Sequence, residues 1–61
     1  MAWTQADKDA VAVQIAEAQG ALSEAADLVA QGGSGFVVMA KLQRANVKIS
    51  EATFGAGRAS D

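Results

Sequence analysis

The chain has 61 residues and contains no cysteine, histidine, proline or tyrosine; its aromatic residues are Trp3, Phe36 and Phe54. Without cysteine and histidine there can be no disulfide, and the usual ligands of zinc and haem are missing, so no cofactor or metal site is expected. General acid–base catalysis near neutral pH most often uses histidine. Thr4, Ser23, Ser34, Ser50 and Thr53 have no adjacent base to activate a hydroxyl. Glu17 and Glu24 lie seven residues apart and read as solvated positions of one helix rather than as a catalytic pair. The expectation is a protein that is not an enzyme. Charge is also sparse, with five Lys and Arg against seven Asp and Glu, a net charge of −2. No basic segment followed by an apolar run marks a secretory start. The longest uncharged stretch, residues 28–40, is interrupted by glycines and too short to span a bilayer. A soluble protein made inside the cell, with no membrane partner, is expected.

The absence of proline leaves room for long helices, and alanine, the best helix former, is the commonest residue. Folding the chain about Gly32-Gly33-Ser34-Gly35 pairs its apolar residues, mostly large against small. Val29 meets Val38, Ala25 meets Leu42, Leu22 meets Ala45, Ala18 meets Ile49, Ile15 meets Ala52 and Val11 meets Ala56, and each pair of numbers sums to 67. Within each half the spacing alternates four and three, the seam of two antiparallel helices. The fold class predicted is therefore all-α: an antiparallel two-helix hairpin with a close, alanine-rich seam, packing into a larger oligomeric assembly.

Thr4 reads as an N-cap with Asp7 completing an acidic capping box. The first helix is predicted over about residues 5–31, the turn over 32–35, the second helix over about 36–54, and a flexible arm over 55–61, all in one domain. Gly20 is the discordant residue, a tolerated glycine, a break or a point of close contact; the seam stays in phase through it. The glycine run lacks the Gly-Lys-Ser/Thr ending and preceding strand of a phosphate loop, so it reads as a turn.

The seam does not use all the large side chains. Trp3, Val13, Leu28, Phe36, Met39, Val47 and Phe54 lie off it and are the candidate partner-binding residues; Val37 also lies off it. Ala40, Val47 and Phe54 recur at seven, a stripe. Several such residues left wet would form an exposed patch of the kind that marks an interaction surface. The charges divide by half. Residues 1–31 hold Asp7, Asp9, Glu17, Glu24 and Asp27 against Lys8, and residues 32–61 hold Lys41, Arg44, Lys48 and Arg58 against Glu51 and Asp61. Acidic and basic helices side by side neutralise one another. The competing reading, a phosphate-binding stripe of Lys41, Arg44 and Lys48, is a poor one for an acidic chain with few aromatics, and no nucleic-acid partner is expected.

The opening Met1-Ala2-Trp3-Thr4-Gln5-Ala6-Asp7-Lys8-Asp9-Ala10, with the Ala-Glu-Ala-Gln-Gly that ends at Gly20, resembles the first helix of small tailed-phage head–tail joining proteins of the W type. The resemblance covers the first third of the chain. That family continues into a β-hairpin and another helix, whereas Ala21-Leu22-Ser23-Glu24-Ala25-Ala26 here reads as helix. What the resemblance implies is a phage or virus-like particle component, located in the virion or host cytoplasm. The expected function is a non-enzymatic structural protein that packs on copies of itself or on other virion proteins. The alternative is a small homodimeric helical bundle that regulates by binding a partner protein or nucleic acid.

Overall fold

The computed structural model describes residues 3–59. They form two helices, α1 (Gln5–Ala30) and α2 (Gly35–Ala59), joined by one tight turn into a rod whose backbone measures 46 × 14 × 11 Å. Among the described residues there is no strand.

The start of α1 follows from its first residues. The Thr4 hydroxyl accepts from the Asp7 backbone N–H at 3.1 Å, and the Asp7 carboxylate accepts from the Thr4 N–H at 3.3 Å. Two amides that the helix leaves unsatisfied are thereby paired. The Gln5 side-chain amide also donates to Asp9 at 2.8 Å. α1 then runs unbroken through Gly20. A methyl group on Gly20 would meet nothing within 4 Å. Gly20→Ala is therefore expected to stabilise the hairpin by about 0.5–1 kcal/mol through backbone entropy alone. A denaturant titration that shows no gain would mean Gly20 serves a contact outside the hairpin.

The turn is a Schellman motif. Gly33 N–H donates to the Leu28 carbonyl at 2.7 Å and Gly32 N–H to the Val29 carbonyl at 3.1 Å, with Gly32 at φ +71°. Leu28 folds over this turn, its Cδ2 only 3.1 Å from where a Cβ on Gly33 would stand. The Ser34 hydroxyl accepts from Phe36 N–H at 3.2 Å and caps α2. Gly32→Ala is expected to cost about 1–2 kcal/mol, the penalty of left-handed backbone for a residue with a Cβ. Urea titration of the variant checks it.

α2 ends later than its sequence suggests. The arm expected from residue 55 is helical as far as Ala59; residues 60 and 61 of that arm lie outside the described residues. Tertiary contact overrides glycine's weak propensity here. A Cβ on Gly55 would stand 3.0 Å from Val11 Cγ2, so the two helices meet closely at the open end. Arg58 lies 5.1 Å over the Phe54 ring and occupies the last turn, where a cation favours the helix dipole.

The core is small and made of small residues. Val11, Ala18, Ala21, Ala25, Ala45 and Ala52 are buried, and among the described residues no large side chain is fully buried. The ion pairs Glu24–Lys41 and Glu17–Lys48 and the Val11–Gly55 contact pair residues whose numbers sum to 65 or 66, in line with the register inferred from the seam.

Candidate interaction surface

The two long sides of the rod differ in chemistry. On one side, Lys41 Nζ lies 2.7 Å from Glu24, and Lys48 Nζ lies 3.7 Å from Glu17 and 3.4 Å from Glu51. The Lys41 ammonium beside Glu24 holds that carboxyl below its usual value, first by hydrogen bonding and then by charge attraction. Arg44 lines the same side with Glu17, Gly20, Ala21 and Glu24. These exposed pairs contribute little stability each; they occupy Lys41 and Lys48, two of the three cations of the conceivable phosphate stripe.

The opposite side holds a groove of about 370 Å³ between the helices. Val11, Ala18, Ala52 and Ala56 line it with Ile15, Leu22 and Ile49, and its polar members are Gln19 and Thr53. None of these side chains is charged. Ile15, Leu22, Leu42 and Ile49 remain 43–47% exposed, and Val29 more so.

This corrects the sequence-based seam. Of its members, Val11, Ala18, Ala25, Ala45 and Ala52 are buried and Val38 is half-buried, as expected of a seam. Ile15, Leu22, Val29, Leu42 and Ile49 are exposed instead. The physical reason is geometric. The alanines let the backbones come close, so the large side chains beside them splay out of the contact on one side, where no third element covers them. Ala21, on the charged side of the contact, is buried although it was not among the seam positions. The segregation of Glu17, Glu24, Lys41 and Lys48 to one flank was the available signal for which side would be wet.

Of the candidate partner-binding residues, Trp3, Val13, Phe36, Met39, Val47 and Phe54 are exposed, Phe36 and Phe54 most of all at 77% and 67%. Leu28 is a correction. It is half-buried because it covers the glycine turn and lines a hollow with Val37 and Lys41, so it is used within the hairpin. The exposed residues do not share one patch. Val13 lies toward the charged side, near Gln14 and Lys48. Phe36, Val47 and Phe54 recur along the outer back of α2, where Arg58 already covers the Phe54 ring.

The chain matches no family model, no curated protein and no solved structure. The likeness of its opening to W-type joining proteins gains no support from these comparisons, and α1 continues as helix through residues 21–30, where that family turns into strands. Among the described residues, no group of three acidic, histidine or cysteine side chains could hold a metal, and no helix is long and apolar enough to cross a membrane.

Proposed function

We propose that this chain is a non-enzymatic assembly protein that works by packing its uncovered apolar surface on neighbouring protein chains, in the setting of a phage or virus-like particle. The observation that carries this reading is the charge-free face, on which Ile15, Leu22 and Ile49 stand nearly half exposed beside a floor of buried alanines. Scattered exposed valines and leucines need no explanation, but a continuous uncharged face along the rod does. The chain's lack of histidine and cysteine supports a role without chemistry. The likeness of residues 1–10 to virion joining proteins supports the setting. The pairing of Lys41 and Lys48 with glutamates works against the alternative of a nucleic-acid-binding module.

The test is fractionation of the protein from its native source, with and without a charge on the groove. The protein is expected in the large, sedimenting assemblies, and Leu22→Asp is expected to release it into the free pool. Recovery of the unaltered chain as a free protein, with Leu22→Asp making no difference, would overturn the reading.

A further inference from the structure

We infer that the occupant of the charge-free face is a second copy of this hairpin, docked face to face about a two-fold axis that runs along the rod, so that four helices close around one core. The inference rests on the assembly reading above and names the partner for the same face.

The relief of the face is self-complementary. At three successive levels along the rod it presents one large side chain beside one alanine: Ile15 beside Ala52, Ile49 beside Ala18, Leu22 beside Ala45. The alanines are the buried floor and the large residues the ridges. A half turn about the rod's axis sets α1 of one copy opposite α2 of the other at the same level. Ile15 then faces the second copy's Ala52, Leu22 its Ala45, and Ile49 its Ala18. Each level holds two large residues on one diagonal and two alanines on the other, the layered filling of a four-helix bundle. A closed two-fold interface requires a patch that fits itself.

Size and charge agree with this. The whole side of the rod that carries the groove, 46 × 14 Å in backbone extent, has a footprint of about 640 Å² before its relief is counted. Stable dimers bury ~800 Å² per partner, so the face is of the right scale. A face without charges sets no like charges against its own copy.

Sedimentation equilibrium of the purified chain over a dilution series tests the inference. Twice the 6.2 kDa monomer mass is expected. Leu22→Asp is expected to sediment as monomer, and Phe54→Ser, on the outer back of α2, to remain dimeric. Because Leu22→Asp could unfold the hairpin, a spin label at Gln31→Cys, exposed beside the turn, gives a second reading. The two labels are expected side by side, at a distance far below the 46 Å rod length. A fully helical wild-type monomer, or labels a rod length apart, overturns the inference. A folded monomer that still needs Leu22 to enter larger assemblies overturns the second copy and leaves the assembly reading standing. A dimer that enters no larger assembly does the reverse.

Discussion

Ala45→Leu is expected to lower the melting temperature of the hairpin by a large margin at every protein concentration. Ala45 is the most buried residue among those described, at 2% exposure, and it lies where the backbones come close. A leucine there must push the helices apart or leave its rotamer wells, a cost of about 1–3 kcal/mol. A domain of this length has a stability of about 3–9 kcal/mol by the usual per-residue scale, so the loss is a large share of it. In a domain this small, about 1 kcal/mol lowers the melting temperature by 4–8 °C. Circular dichroism melts should therefore place the variant about 5–20 °C below the parent. Ala40→Leu, exposed on the same helix, is the control and is expected to stay within about 0.5 kcal/mol. If Ala45→Leu melts with the parent, the helices are not held by close alanine contact.

Leu22→Ala and Ile49→Ala carry the second large effect, and its size depends on protein concentration. In the single hairpin each side chain is already nearly half wet. Full burial of such a side chain is worth roughly 1.5–3 kcal/mol, so truncation there should cost only about 1 kcal/mol. Once the face is covered, the same truncation removes a buried side chain and leaves a cavity, at about 2–4 kcal/mol. The parent's melting temperature should rise with concentration, as association stabilises the folded state. Each variant should fall further behind as concentration increases. An equal penalty at every concentration would show that the face stays bare.

The register of the hairpin is readable in the residue numbers because two signals agree. The four–three alternation sets the phase of each helix, and the glycines of the turn say where the chain reverses. The capping box at Thr4 and Asp7 is likewise local, with its partners three residues apart. The wet side was harder to read. An alternating seam marks residues that point toward the partner helix, but covering them takes a further element, and side-chain size at one position does not reveal whether that element exists. Ile15 and Leu22 look like core on one helix; next to a single thin alanine-faced helix they are half exposed. The end of α2 was hidden for a similar reason. Gly55 and Gly57 disfavour helix locally, and what holds the last turns is Val11, more than forty residues away in sequence. Leu28 looked like surplus because its role, covering Gly33, depends on the three-dimensional path of the turn.

The Gly32 turn also gives folding a direction. Residues 29 and 38 are separated by a short loop and can meet at little entropic cost, whereas Val11 and Gly55 close a loop several times longer. Once the turn has formed, each further level closes only one more helical turn of chain, so the hairpin zips from the glycines toward its ends, a topology of low contact order that folds fast. The open end, where glycine rather than a large side chain meets Val11, is the last to close and the first to fray. In the dissociated hairpin, at high dilution, amide exchange should rise steadily from Leu28 and Val38 toward Val11 and Gly55; uniform protection along both helices would mean that something outside the hairpin clamps that end.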